Sequence, residues 1–587
     1  MKFRSLPLPG LILWTLIIGY TILFTTLCWQ KLDAHLYNGL DLAIFNNSLF
    51  NLLHSGWPTN AIHPASYFAD HFSPLLYLLA PIYALWSSPY LLLALQSFLI
   101  AVCAWPLYLL TCKRSSADMA LAVALAWLVN PWIHWWTLYE FSLIPFFVLG
   151  ALGLALAYEQ KRKYLFITIL ILTLATREDS LLLLAPWVAI LFWRRQDYPT
   201  WLALTAGVMI AWFATVITAF SFSGGYKFSS LYHVSDISIS RMSLTLAGII
   251  SLPYMAFIWS GKKFLPFLLP AMAIVFLHPF GFNRVTSQSH YVAWLIWPLA
   301  LASTQISRLK LTRLQIPTTI FILAIIIISS SIWSPLRTWK QPSKNIQMAE
   351  IDPSTVLAAS YTELPNLSSR SVIQLLPYAY WGRGQYNRSD YRLSTNTETI
   401  IINWDDMLMA RWIWQANYNN NLFDQRLSQN LQTILTNFIP ISQSHNTTIF
   451  KKADVPHNLV LQTPAADARL GFQKIEPLLY HGLPAIQLRM TLPDTRQSYQ
   501  LLVKHGTNSR RLELGYGLLQ ASSSVQNLEQ ILLLDLEEID SPLELSVSID
   551  TRPSLRLGLW NQAETIWPNT APLFATSTLP YTTSLHR

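Results

Sequence analysis

The alternation of charge between apolar runs constrains the fold of this chain more than any other feature. In the first 335 residues, Lys/Arg clusters occur at every second break between apolar runs, as at Lys113-Arg114 and Lys161-Arg162-Lys163. Acids and histidines occupy the intervening breaks, as at Glu178-Asp179 and His290. Positively charged loops stay in the cytoplasm. The pattern therefore predicts a multi-span membrane protein whose chemically competent side chains collect on the outer face.

Composition supports the membrane class and excludes others. The 587 residues are 52% hydrophobic and only 12% charged, whereas soluble domains carry about 25% charged residues. The net charge of +9 lies in loop clusters between apolar runs, which favours a topology signal over a nucleic-acid surface. Cys28, Cys103 and Cys112 lie in or beside apolar runs, so we expect neither a disulfide framework nor a zinc site.

The apolar runs predict the spans and their orientation. A membrane-crossing helix needs about 20 apolar residues. The N-terminus is predicted to be cytoplasmic, with the first run retained as a span, and residues after 334 are predicted to lie outside. Segment 72–87 contains two prolines with Tyr and Trp, which favours an interfacial helix. About eleven spans are predicted, near residues 10–29, 89–110, 118–137, 142–160, 164–176, 179–193, 200–222, 242–260, 264–281, 290–307 and 315–333.

Three regions are expected. Residues 1–334 form the α-helical membrane domain, with a large first outer loop over 30–88 that contains an amphipathic helix near 41–54. Residues 335–454 alternate strand-like and helical stretches, which predicts an extracytoplasmic α/β domain. Residues 455–587 consist mainly of alternating runs separated by turns, which predicts a β-rich, sandwich-like domain.

The outer-face side chains suit one broad chemistry. Acids there can deprotonate an acceptor hydroxyl, and cations beside the lipid headgroups can bind a lipid-linked phosphate. Asp41 is the leading candidate for the base and Asp33 the second. The candidates for substrate binding are Asp70, His71, Glu140, Arg177, Glu178, Asp179, Lys227, Arg284 and His290. No compact metal-ligand spacing occurs, so no metal residues are predicted, although a requirement for a divalent cation stays open.

Each candidate also has a structural interpretation. Asp41 can cap its helix, Asp33 can be a solvated loop acid, and Asp70-His71 can begin the next helix. Arg177-Glu178-Asp179 can be an ion pair that closes a helical hairpin, or Arg177 can meet the donor phosphate while an acid orients it. Lys227 and Arg284 can contact headgroups, and His290 can be a hydrogen-bonded residue at a helix end.

A series of short motifs follows the first apolar run in a fixed order. The motifs are Asp41-Leu42-Ala43-Ile44-Phe45-Asn46-Asn47, Asp70-His71-Phe72-Ser73-Pro74, Ala80-Pro81-Ile82-Tyr83-Ala84-Leu85, Asn130-Pro131, Tyr139-Glu140-Phe141, Arg177-Glu178-Asp179, Gly224-Gly225-Tyr226 and His290-Tyr291. Together they resemble the DUF2079 family of predicted bacterial membrane proteins. The similarity covers most of 30–300, with a weaker similarity at 352–405. Asn46 stands where the family often has Asp, and Ser142 stands where a His is expected.

The resemblance implies a function. The family is similar in layout to the GT-C glycosyltransferases, which are multi-span enzymes that use polyprenyl-phosphate sugars and carry an acid in the first outer loop. It thus implies an inverting sugar transfer on the outer face of the bacterial cytoplasmic membrane. A transporter or flippase of a lipid-linked or polar substrate is the alternative, although its ionisable groups would be expected at mid-bilayer. A noncatalytic scaffold is a third interpretation.

Overall fold

The structure of the protein is a computed structural model. The residues that it describes are 8–37, 40–62, 65–69, 71–193, 199–222, 292–305, 334–338, 351–384, 390–407, 410, 425–444, 446–453, 459–464, 471–493, 495, 499–505, 508–519, 524–535, 543–549 and 573–579.

Nine helices of the described part form the apolar bundle. Three helices there are long and apolar enough to cross a membrane, and a fourth span results if Ala117–Leu128 and Pro131–Thr137, bent by 51°, count as one. Predicted spans 242–260, 264–281 and 315–333 lie outside the described residues, so the count of eleven remains a prediction. The bundle helices are α1 Leu8–Asp33, α4 Pro89–Val102, α5 Ala104–Cys112, α6 Ala117–Leu128, α7 Pro131–Thr137, α8 Ile144–Glu159, α9 Lys163–Leu174, α10 Ser180–Trp193 and α11 Pro199–Phe222; a further apolar helix, α12, spans Val292–Ser303.

Local sequence explains where these helices begin. The Asn130 side chain accepts a hydrogen bond from the Trp132 amide at 2.9 Å, and Pro131 occupies the first helical position. Proline is tolerated there because its missing N–H would have no intrahelical partner. Asn130-Pro131 therefore starts α7 directly after the end of α6. Ser88 caps α4 in the same way, accepting from the Tyr90 amide ahead of Pro89.

The first outer loop folds into short elements against the bundle. It contains α2 Asp41–Ser55, a two-stranded sheet of β1 Thr59–Asn60 and β2 Ala65–Ser66, and α3 Leu75–Tyr83. Helix α3 has nine residues, and at 1.5 Å per residue it is only about 14 Å long, too short to cross a bilayer core of about 30 Å. It exposes Tyr77, Leu78 and Ile82 to the surroundings, in agreement with an interfacial helix.

The residues after 350 form three sheets. Strands β3 Leu357–Ala359, β4 Ile373–Leu375 and β5 Thr399–Asn403 are parallel. With β6 Phe438–Ser444 and β7 Thr447–Lys452 they form a sheet in the order β4-β3-β5-β7-β6. Helices α13 Leu364–Leu367, α14 Leu376–Trp381 and α15 Gln425–Leu435 accompany this sheet.

Two four-stranded antiparallel sheets follow along the chain, in the orders β8-β13-β10-β9 and β12-β11-β14-β15. The division into domains at 334 and 454 remains a prediction. The strands are β8 Val460–Pro464, β9 Gly471–Tyr480, β10 Leu483–Leu492, β11 Tyr499–His505, β12 Asn508–Glu513, β13 Gln526–Leu533, β14 Leu543–Ile549 and β15 Leu573–Leu579.

One polar face of α2 docks onto the segment that follows β3. Asn46 Nδ2 donates to Ser368 Oγ at 2.9 Å, and Asn47 Nδ2 donates to the Arg370 carbonyl at 2.7 Å. Asn51 Nδ2 adds a bond to the Ser371 carbonyl at 3.2 Å. Because these contacts are direct, the first outer loop and the five-stranded sheet lie on the same side of the bundle.

Candidate functional site

Asp41 lies at the start of α2, but it does not cap the helix by its side chain. The N-cap residue is Leu40, with no side-chain cap hydrogen bond, and Asp41 is the first helical residue. The interpretation of Asp41 as the cap is therefore wrong. Its partly buried carboxyl instead hydrogen-bonds the Tyr139 side chain and interacts electrostatically with His71 and Arg177. Burial raises the pKa of Asp41 to about 6, against the lowering effect of these three neighbours.

His71 and Glu178 form a pair between the first outer loop and the turn between α9 and α10. His71 Nδ1 lies 2.8 Å from Glu178 Oε1, and the Phe72 amide donates to Glu178 Oε2 at 3.1 Å. A carboxylate only accepts hydrogen bonds, so Nδ1 is the donor. Burial acts to raise the pKa of Glu178, but the charge and hydrogen bond of His71, together with Arg177, lower it to about 2. Glu178 therefore stays ionised, and its carboxylate fixes the orientation of the His71 imidazole.

Arg177 and Asp179 form a two-bond ion pair in the same turn. Arg177 Nε and Nη2 donate to the two oxygens of Asp179 at 3.1 and 3.0 Å. Burial raises the pKa of Asp179, although Arg177 opposes this effect. The hairpin-closing ion pair exists, and it also presents the guanidinium to the Asp41 carboxyl, with which it interacts electrostatically. The structural and the functional interpretations of Arg177 are thus compatible.

Glu140 is buried, unlike the partly exposed Asp41, His71 and Arg177. Its side chain is only 1% exposed, and its Oε2 accepts a hydrogen bond from the Leu42 amide at 3.0 Å. The observed contact of Glu140 is with the backbone of α2, and its role in binding substrate stays a prediction. Glu140 directly follows Tyr139, whose side chain hydrogen-bonds Asp41.

The remaining candidates divide into two sets. Asp33 is exposed at the end of α1, where it accepts a hydrogen bond from the Tyr90 hydroxyl. Asp70, Lys227, Arg284 and His290 lie outside the described residues, and their roles remain predictions. Within the described ranges, no group of three or more His, Cys, Asp or Glu residues is placed to hold a metal ion.

Two tyrosines belong to the site although sequence reasoning did not select them. Tyr139 bonds Asp41. Tyr67 is 4% exposed, its ring lies 6.1 Å from that of His71, and the pKa of its hydroxyl is raised well above the usual value by burial, with Arg177, Glu178 and Asp41 close enough to contribute. Tyr139 stood in the Tyr139-Glu140-Phe141 motif, which was a usable signal. Tyr67 carried no comparable signal.

We call Asp41, Tyr67, Tyr139, His71, Arg177, Glu178 and Asp179 the ionisable cluster. It joins a half-buried acid of raised pKa to a fixed imidazole and a guanidinium at one end of an apolar helix bundle. The class that the fold and this cluster define is a multi-span membrane protein with a polar site on the segment that follows its first helix. The chain belongs to the DUF2079 family of predicted membrane proteins, whose model matches residues 31–434.

Solved structures of other membrane proteins show similarity to the chain. ArnT from Cupriavidus metallidurans bound to undecaprenyl phosphate has a TM-score of 0.40 at 10% identity, with 74% of this chain and 98% of that chain covered. The Archaeoglobus fulgidus oligosaccharyltransferase with Zn and sulfate has a TM-score of 0.38 at 9% identity, with 90% and 97% covered. TM-scores this low do not establish a common function. No curated protein matches the chain in sequence.

Proposed function

We propose that this protein is an inverting membrane glycosyltransferase that uses a polyprenyl-phosphate-linked sugar on the outer face of the bacterial cytoplasmic membrane. In the reaction, Asp41 takes the proton of an acceptor hydroxyl, and the acceptor oxygen forms a bond to the anomeric carbon. The bond between that carbon and the phosphate oxygen breaks, and polyprenyl phosphate leaves with the electron pair. No oxidant or nucleotide takes part.

The observation that carries this proposal is the raised pKa of Asp41 beside two nitrogen-bearing side chains. A carboxyl with a pKa of about 6 is mostly ionised at neutral pH, yet it is a stronger base than an ordinary aspartate. The proximity of Asp41 to His71 and Arg177 supports this role, because a departing phosphate is stabilised by a nearby guanidinium and imidazole.

Arg177 and His71 supply the phosphate-binding part of the proposal. Asp179 engages Nε and Nη2 of Arg177, and Glu178 engages Nδ1 of His71. Each pair holds its nitrogen-bearing group in one orientation, which is what an anion-binding site requires. Whether the reaction also requires a divalent cation is an open part of the proposal, and removing divalent cations with a chelator tests it.

The test uses the full-length protein in nanodiscs with a radiolabelled polyprenyl-phosphate sugar and candidate acceptors. Wild type should release free polyprenyl phosphate, and Asp41→Asn should lower that release by roughly 100- to 10,000-fold, the usual contribution of a general base. Asp118→Asn, an exposed acid in the first turn of α6, is the matched control and should retain turnover. Movement of intact donor across the bilayer without release of polyprenyl phosphate would indicate the flippase alternative.

A further inference from the structure

The first turn of α2 depends on an acceptor from a distant part of the chain. The first amides of a helix have no intrahelical partner, and an N-cap side chain usually supplies one. Leu40, the N-cap here, has no polar side chain and makes no such bond. The Glu140 carboxylate supplies the acceptor instead, 3.0 Å from the Leu42 nitrogen and 98 residues further along the chain. A carboxylate is favourable at this position because the helix N-terminus carries partial positive charge.

The turn that carries Glu140 is itself held by two helices of the bundle. Gln96 of α4 donates from Nε2 to the carbonyls of Tyr139 and Glu140 at 3.2 and 3.0 Å, and its Oε1 accepts from the Ser142 amide at 2.9 Å. Lys31 of α1 donates to the Leu138 carbonyl at 3.1 Å. The backbone from 138 to 142 is therefore held by hydrogen bonds from side chains of both α1 and α4.

The same turn contacts Asp41 in two ways. Tyr139 hydrogen-bonds the Asp41 side chain, and Glu140 fixes the amide of the next residue, Leu42. The charge of Glu140 is compensated in part by Lys31, which interacts with it electrostatically and is also 1% exposed. Burying a carboxylate this deeply costs free energy unless such partners compensate its charge. The hydrogen bond from the Leu42 amide to this carboxylate would be lost if Glu140 were alanine.

We propose that Glu140 is a positioning residue: its buried carboxylate anchors the first turn of α2 and so fixes the Asp41 carboxylate relative to His71 and Arg177. The inference rests on the proposed function for its catalytic consequence. It adds a residue that acts through Asp41 and touches no substrate. The bond itself is a property of the folded chain and is measurable without any substrate.

Two variants separate the hydrogen bond from the charge. Glu140→Gln keeps a side-chain oxygen that can accept from the Leu42 amide, and Glu140→Ala removes the acceptor. Glu159→Ala, at the far end of α8 and paired with Arg114, is the control for loss of an ion-paired acid. Size-exclusion chromatography in detergent establishes that each full-length variant is folded and monodisperse before any comparison is made.

The first readout is steady-state turnover with the polyprenyl-phosphate sugar donor. Glu140→Ala should lower kcat on the order of 10- to 100-fold, because small misplacements of a catalytic group have effects of this size. Its donor KM should stay within about twofold, since no donor contact is removed. Glu140→Gln should recover most of kcat, and Glu159→Ala should behave like wild type.

The second readout is hydrogen–deuterium exchange of the peptide covering the first turns of α2. Exchange at the Leu42 amide should be faster in Glu140→Ala than in wild type and close to wild type in Glu140→Gln. Unchanged exchange, or an active wild type whose kcat survives Glu140→Ala, overturns the positioning role and leaves the proposed function intact. An inactive wild type overturns the proposed function, and the catalytic role of Glu140 with it.

Discussion

Helix α2 has two polar regions of different chemistry. Its N-terminus, at Asp41, meets groups that gain or lose protons, whereas its middle, at Asn46, Asn47 and Asn51, meets amides, hydroxyls and carbonyls that do not. The amide contacts hold the helix to the segment that follows β3 through groups that do not titrate. The ionisable cluster, in contrast, contains carboxyl and imidazole groups whose charge depends on pH. The comparison indicates that the docking contacts of α2 and the ionisable cluster occupy separate turns of one helix.

After Asp41→Asn, the largest effect should come from removing the guanidinium of the ionisable cluster. Arg177→Ala leaves Asp41, Glu178 and Asp179 without that positive charge and should lower turnover on the order of 100- to 1,000-fold, the usual effect of losing one electrostatic donor. Arg177→Lys should recover little, because a lysine cannot reproduce the two-bond pair with Asp179. Arg114→Ala, which breaks the Arg114–Glu159 pair, is the matched control; equal loss in both variants would show a general folding effect.

The pH dependence of turnover tests the titratable end of α2 directly. The folded pKa of Asp41 is raised from 3.8 to about 6, so the carboxyl keeps its proton to a higher pH than an ordinary aspartate. As a base it must be ionised, so kcat/KM should fall about tenfold per pH unit as pH decreases below 6. A stopped assay of polyprenyl phosphate release from pH 4.5 to 8 measures this limb. A limb near 4 would contradict the assignment.

The amide end should instead affect stability, with no dependence on pH. Asn47 is fully buried and donates to the Arg370 carbonyl, so Asn47→Ala leaves that acceptor unpaired and should destabilise the protein by about 1–3 kcal/mol. Thermal unfolding at pH 6 and pH 8 should give the same loss, relative to wild type at each pH. The exposed Gln429→Ala on α15 is the control. If the loss of stability in Asn47→Ala differed between pH 6 and pH 8, the middle of α2 would not be independent of pH, and the distinction between the two regions would be wrong.

The sequence predicted the helices of the bundle better than the contacts between them. Apolar length and loop charge are local properties, so the helix containing 10–29 and that at 200–222 could be read directly. The same charge pattern selected Asp41, His71 and Arg177, because rare polar groups at the ends of spans stand out from their surroundings. Asp41 as a cap was wrong because the cap depends on backbone conformation at Leu40.

Tertiary partners were not predictable from the same information. Glu140 reaches Leu42 across 98 residues, and no spacing rule connects the two positions. Tyr67 enters the cluster because the loop after β2 turns its ring toward His71. Asn46, where the family often has Asp, is buried against Ser368 and Tyr83. Its role follows from docking to a segment more than 300 residues away and not from the local motif.

The smallest effect should come from Asp33, the other acid of the first outer loop. It is exposed at the end of α1 and bonds the Tyr90 hydroxyl, whereas Asp41 is partly buried and interacts with His71 and Arg177. Asp33→Asn should therefore leave kcat within about twofold of wild type and leave the acid limb of the pH profile near 6, because nothing that contacts Asp41 is altered. The measurement is the same polyprenyl phosphate release assay, with Asp41→Asn run beside it. If Asp33→Asn abolishes release while Asp41→Asn retains it, the base lies at the end of α1 and the N-terminus of α2 is only an anchor.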